Sequence, residues 1–301
     1  NSLKMPGSES DKNYEILELN KKVLDLNKKR YQLVKKSFEL GERPAIDTVE
    51  AFAQLQSFEA KTIESQNKYN VSTIELSQFL WKENGENYNL PLFTKPSEQL
   101  NTQFTQDYFI ITEKLLQNID AQYALNYYFE KSKSLELERK LKWQNFLPKI
   151  NFNYNLYNKE FKNQDILPLF DNNYQYGIKL ELPIFMREAR ADYQNIKLKI
   201  LQNNENIKFK NQELKTKIQT YNAEMGNFLS LTQNNESLIE NYKRLLKAEE
   251  IKFSNGESSL FLINSRENKL LETQEKFLEL KAKTIKTYFK LNWLENNTLK
   301  Q

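Results

Sequence analysis

Apolar residues return at every seventh position along most of this chain, and at every second position along one short stretch. Leu17, Leu24, Tyr31 and Phe38 are spaced by seven, the repeat of helices that wind around one another. The run predicts a helix from about Lys12 that stops at Gly41-Glu42-Arg43-Pro44, where Gly permits a positive φ and Pro opens the next helix. A return helix is expected from Ala45 to about Trp81, with Ile46, Val49, Phe52, Leu55, Ile63, Ile74 and Phe79 as its apolar positions. Another is expected from about Phe109 to Asn145, ending at Leu147-Pro148. After Phe185 the period of seven resumes with Tyr193, Ile200, Ile207, Leu214, Tyr221 and Phe228, then with Ile239, Leu246 and Phe253. A helix reaching Ser254 would be roughly 100 Å long at 1.5 Å per residue. Asn255-Gly256-Glu257 turns the chain, and a last helix to about Leu294 carries Ile263, Leu270 and Phe277 beside Leu271, Leu278 and Ile285.

The stretch of period two runs from Lys149 to Phe185. Ile150, Phe152, Tyr154 and Leu156 alternate with Asn151, Asn153 and Asn155. Tyr174, Tyr176, Ile178, Leu180, Leu182 and Ile184 alternate with Gln175, Gly177, Lys179, Glu181 and Pro183. Side chains on a strand point to opposite faces in turn, so each run has one apolar and one polar face. Each is about ten residues, enough for a tilted strand to cross the hydrocarbon layer. The loop between them spans Asn158 to Asn173. Trp143, Phe146, Tyr157, Tyr174 and Phe185 lie near the strand ends, where a membrane barrel keeps its aromatic girdle.

Composition sharpens this picture. The 301 residues include only 6 Gly and 7 Pro, 28% are charged, and the mean hydropathy is -0.77. Scarce breakers with mixed charges suggest long helices around a narrow buried seam. Pro6 and Gly7 mark residues 1–11 as a loop, and Gly85, Pro91 and Pro96 mark 82–109 as a linker. The net charge of +4 arises from 44 basic and 40 acidic residues without a separate basic block, so no nucleic-acid surface is expected. With no Cys and no His, Cys/His nucleophiles, Cys/His zinc sites and disulfides are excluded. No glycine-rich phosphate loop occurs, and no carboxylate pair stands out. We expect no enzyme, no cofactor and no metal site. No apolar run is long enough for a membrane-crossing helix, and NSLKMPGSES lacks the apolar core of a signal peptide.

The helix–turn–helix unit occurs twice. Placing Gly41-Glu42 on Gly256-Glu257 sets Phe38 on Phe253, Tyr31 on Leu246, Leu24 on Ile239 and Leu55 on Leu270. A duplicated helical hairpin with one pair of membrane-length strands resembles the TolC-like outer-membrane efflux proteins. The match rests on Leu147-Pro148 before the first strand, Leu180-Glu181-Leu182-Pro183-Ile184-Phe185 at the end of the second, Arg190, the turn from Lys252 to Leu260, and Gln274. It is closest from Leu147 to Leu294 and weaker from Tyr31 to Trp81.

The resemblance implies a mostly α fold. Long antiparallel coiled-coil hairpins in duplicate would accompany a β-hairpin that contributes to a trimeric β-barrel and helical tunnel. Residues 1–81 would be the first-repeat hairpin, 82–109 an equatorial linker, 110–148 the helix leading to the barrel, 149–185 the strand pair and 186–295 the second-repeat hairpin. Two strands per protomer give too few for the smallest known barrel, and residue 1 matches residue 216. A further strand pair and its flanking helices are therefore expected to be missing from an N-terminally truncated or incompletely represented chain.

The implied function is a passive exit duct in the outer membrane of a Gram-negative bacterium, extending into the periplasm. Its implied partners are two further copies, a periplasmic adaptor protein, an inner-membrane pump and outer-membrane lipid. Ile150, Phe152, Tyr154, Leu156, Ile178, Leu180 and Leu182 would face lipid, and Asn151, Asn153, Asn155, Lys179 and Glu181 the lumen. Gly41, Glu42, Pro44, Gly256, Glu257, Ser258 and Ser259 would form the tip that meets the adaptor. Asp47 and Glu50, one helical turn apart, are either a constriction or two solvated carboxylates. The alternative for the whole chain is a soluble coiled-coil scaffold whose β-hairpin caps a helical rod.

Overall fold

A computed structural model describes residues 4–92, 94–96, 108–156, 174–182 and 185–296. In chain order the elements are α1 (Lys4–Glu39), α2 (Ala45–Ser77), α3 (Tyr108–Gln117), a short 3-10 turn (Ile119–Ala121), α4 (Tyr123–Gln144), β1 (Lys149–Leu156), β2 (Tyr174–Glu181), α5 (Arg187–Ser254) and α6 (Leu260–Asn296). They form two compact units, Asn1–Ile119 with Lys215–Thr298, and Asp120–Leu214.

Three boundaries differ from expectation. Helix α1 begins at Lys4, not near Lys12. Pro6 stands in its first turn, where a missing N–H leaves no bond unmade and the fixed φ already suits a helix. The helix expected from Phe109 to Asn145 is broken. Asn118 donates its Nδ2 to the Lys114 carbonyl at 3.1 Å, and Gln122 is extended at φ -68°, ψ 133° before α4 starts. Short polar side chains that bond nearby carbonyls offer the backbone an alternative to helix, and neither Pro nor Gly is needed for the break. Both strands have 8 residues, so Leu182 lies one residue beyond β2. The expected continuation through Pro183 and Ile184, the loop at 158–173, and Tyr157 lie outside the described residues.

In the first unit, α1 and α2 are antiparallel neighbours and α6 packs on α1, α2 and α3. Leu17, Leu55, Phe58, Leu115, Ile218, Met225, Leu271 and Leu291 are buried. The series Leu17, Leu24, Tyr31, Phe38 holds only at its start: Leu24 and Tyr31 are half-buried and Phe38 exposed. The deeper seam of α1 is Asn13, Asn20, Asn27 and Val34, also spaced by seven. After α2 the chain is tied back by Trp81–Asn87 pairing, by Gly85 at φ 80°, and by the Leu90 N–H bonded to Ser77 Oγ at 2.9 Å.

In the second unit α4 runs beside the start of α5. Lys142 Nζ pairs with Asp192 at 2.5 Å, Phe146 meets Tyr193 edge-on at 5.9 Å, and Asn203 donates to the Tyr128 carbonyl at 3.0 Å and to Ser132 Oγ at 2.7 Å. Leu125, Ile196 and Asn203 are the best-buried side chains there.

Candidate functional site

The two glycine turns are the same structure made twice. Gly41 and Gly256 both sit at φ 76°. The Gly41 N–H bonds the Phe38 carbonyl at 2.9 Å and the Glu42 N–H the Ser37 carbonyl at 2.9 Å; for Gly256 and Glu257 the partners are Phe253 at 3.1 Å and Lys252 at 2.8 Å. This is the Schellman closure, which satisfies the last carbonyls of a helix through a left-handed residue. Space around both glycines is open, with nothing within 4 Å of where a Cβ would stand. The requirement for Gly is thus the backbone angle, not a close approach inside the molecule.

The turns are brought side by side. The Arg43 guanidinium lies 3.9 Å from the centre of the Phe253 ring, a cation–π contact between the two turns. Below it, Val34, Ala51 and Leu260 form a small core capped by Tyr31 and Phe253. Ser258 Oγ donates to Glu249 at 2.5 Å. Glu42, Pro44, Glu257 and Ser259 are exposed and Ser258 half-buried.

Asp47 and Glu50 are neither bare nor both solvated. Asp47 pairs with Arg43 at 3.3 Å, and Glu50 accepts from Asn264 Nδ2 at 3.3 Å. Both are half-buried. The exposed face of α2 carries Ile46, Val49, Phe52, Ile63, Val71 and Ile74 instead. At about 100° per residue these fall within roughly a third of the circumference.

The hairpin separates its faces as its alternation requires. Pairing is antiparallel, with Ile150 opposite Leu180, Phe152 opposite Ile178 and Tyr154 opposite Tyr176, while Asn151 meets Lys179, Asn153 meets Gly177 and Asn155 meets Gln175. Directly opposed residues share a face. The apolar face is uncovered in this chain: Phe152 is 66% and Ile178 72% exposed. On the polar face Lys179 and Glu181 form an ion pair at 2.6 Å. The Leu156 and Tyr174 side chains lie outside what is described. Trp143 and Phe185 are exposed at the hairpin's ends, with Leu182.

One polar cluster escapes the reading of apolar periods. Arg30 grips Glu267 with two nitrogens, at 2.8 and 3.0 Å, and Asn27 Nδ2 donates to the same carboxylate at 3.0 Å. Glu267 is buried. The spacing Asn13, Asn20, Asn27, interleaved with Leu17 and Leu24, was the available signal, since one Asn at a seam position sets helix register. At the other end of α1, Asp11 is pushed up to about 6, first by burial and then by Glu15, against the pull of Lys281.

No protein-family model and no curated protein matches the sequence. Solved structures do match its fold. The CmeC outer membrane channel of Campylobacter jejuni has a TM-score of 0.73 at 18% identity, over 97% of this chain and 61% of that one. The outer membrane protein VceC of Vibrio cholerae gives 0.76 at 12% identity, over 99% of this chain and 70% of that one. The outer-membrane channel OprN gives 0.70 at 12%, over 99% and 65%. The chain therefore spans less than two thirds of the length of the first of these, and its fold is the one they share.

Proposed function

We propose that this chain is part of a homotrimeric outer-membrane duct of a Gram-negative bacterium, a passive conduit of a tripartite efflux or secretion system. A periplasmic adaptor and an inner-membrane pump would be its partners. The observation that carries this reading is the uncovered apolar face of the β-hairpin. In water such a face is a liability; against acyl chains it is the favourable surface, while the Asn, Lys and Glu face lines an aqueous lumen. The fold shared with the CmeC and OprN channels supports the same reading.

The remaining features fit this assignment. The exposed stripe on α2, with Leu26 and Leu33 exposed on α1 and Leu40 just past its end at the same period of seven, suits burial against neighbouring protomers. Two exposed Schellman turns held side by side present backbone, with no bulky side chain, to a partner's helical tips. No chemical step is required of the protein. Any constriction at Asp47 and Glu50 would be weakly cation-selective, because Arg43 offsets one of the two charges.

The test is reconstitution. Purified in detergent, the full-length protein should run as a heat-resistant trimer and give discrete conductance steps in a planar bilayer. A protein that stays monomeric and soluble without detergent, and gives no steps, would be the coiled-coil scaffold instead.

A further inference from the structure

Helix α5 opens on two arginines at the foot of the hairpin. Arg187 is its first residue and Arg190 lies three further on, so the two share a face. Both are exposed, and neither has an ion-pair partner among the described residues. Three other cations near this end are already paired: Arg139 with Glu136 at 2.7 Å, Lys142 with Asp192 at 2.5 Å and Lys179 with Glu181 at 2.6 Å. Glu188 and Asp192 line, with Lys149, a cavity of about 410 Å³, and lie about 100° or more round α5 from either arginine. Helix stability does not explain the pair, because positive charge at the start of a helix opposes its dipole.

On the strand side the surroundings are apolar. Leu182 is 61% and Phe185 85% exposed, and the chain passes from Phe185 to Arg187 through Met186 alone. In a bilayer the hydrocarbon layer gives way on each side to a headgroup layer about 5–8 Å deep. Arg187 and Arg190 are about 4.5 Å apart along the helix axis, so both fit within that depth. The guanidinium fork matches phosphate oxygens with paired N–H bonds. A zwitterionic headgroup brings its own cation to that phosphate, whereas an anionic one leaves the charge for the protein to meet.

We propose that Arg187 and Arg190 bind the phosphate of an anionic glycerophospholipid whose chains lie against Leu182 and Phe185. The site rests on the duct reading, which puts the hairpin in a bilayer, and adds a headgroup preference to it. The test is electron paramagnetic resonance of the full-length protein in phosphatidylcholine bilayers, with spin-labelled phosphatidylglycerol or phosphatidylcholine as tracer. Lipid held at the protein surface is resolved there from free lipid. A preference for phosphatidylglycerol of about fivefold is expected, which is about 1 kcal/mol. Arg187→Gln with Arg190→Gln should bring the ratio to one. Lys199→Gln, exposed on the same helix but roughly 18 Å beyond Arg187, should leave it unchanged. No preference in the unaltered protein, a preference that survives the double variant, or an equal loss in Lys199→Gln would overturn the headgroup site and leave the duct standing. Held lipid of neither kind would show that the hairpin does not enter a bilayer, and both readings would fall.

Discussion

At the scale of single residues, Gly41 and Gly256 are set by an angle and left in free space, so substitution there separates geometry from contact. A left-handed conformation costs an ordinary residue roughly 1–2 kcal/mol, and Asn less. Gly256→Val should therefore lower the melting temperature. Gly256→Asn should nearly keep it while adding a side chain to the proposed docking surface, so trimer and surface level should stay normal and adaptor capture in a pull-down should fall. Normal capture by the Asn variant would confine Gly256 to closing a hairpin. Asp11 makes a second prediction. It is faced by Glu15 on α1, Tyr69 on α2 and Lys281 on α6, with Tyr14 beside Tyr69 at 5.5 Å. Its carboxyl, raised from 3.8 to about 6, binds its proton more tightly in the folded state. The stability this supplies is complete below pH 4 and lost as pH rises through 6. Asp11→Asn should raise the melting temperature at pH 7.5 and leave it unchanged at pH 4; an equal rise at both pH values would refute this.

At the scale of elements, the Arg30–Glu267–Asn27 cluster ties α1 to α6 where an apolar seam would have served. Removing one partner strands a buried charge. Arg30→Met is expected to cost about 3–5 kcal/mol in chemical denaturation, and Arg30→Met with Glu267→Leu much less. Additive losses would mean the pair is not coupled. For the hairpin, Lys or Arg on a lipid face costs about 2–4 kcal/mol at the midplane, while the lumen tolerates it. Phe152→Lys should thus reduce heat-resistant trimer far more than Asn153→Lys. Both turns and the two faces of the hairpin were legible from residues: Gly before a charged residue, and strict alternation from Ile150 to Leu156. The asparagine seam was not, because a search for apolar repeats finds Leu17 and Leu24 and passes over Asn13, Asn20 and Asn27 on the adjoining positions. Nor was the break at Asn118–Gln122, where local side-chain bonding, and no helix breaker, ends α3. The pairing of Asp47 with Arg43 needed the turn's own geometry, since it places Arg43 to bridge Asp47 and Phe253.

At the scale of the whole molecule, the exposed apolar residues of α2 have no counterpart among the described residues. Ile63 is 72% exposed, so Ile63→Asp should leave the fold of a protomer intact by circular dichroism. If that face meets another copy, each lost contact removes about 1.5–3 kcal/mol of burial, and the trimer should dissociate at lower temperature on native gels. An unchanged trimer would place the subunit contact elsewhere.

The bond from Asn20 to Glu275 joins residues 255 apart, and that separation sets an order of events. The hairpin of α1 and α2 is local in sequence and can zip as soon as it is made, on the fast side of folding. Its polar inner face, Asn20 and Asn27 included, must then wait for α6, the last helix of the described chain. Throughout that interval the half-built unit presents these amides beside Val34 and Ala51, which Leu260 covers only once α6 is in place. A seam of asparagines is thereby expected to lessen clumping of the half-built unit during synthesis, a benefit that a stability measurement on the finished protein would never register.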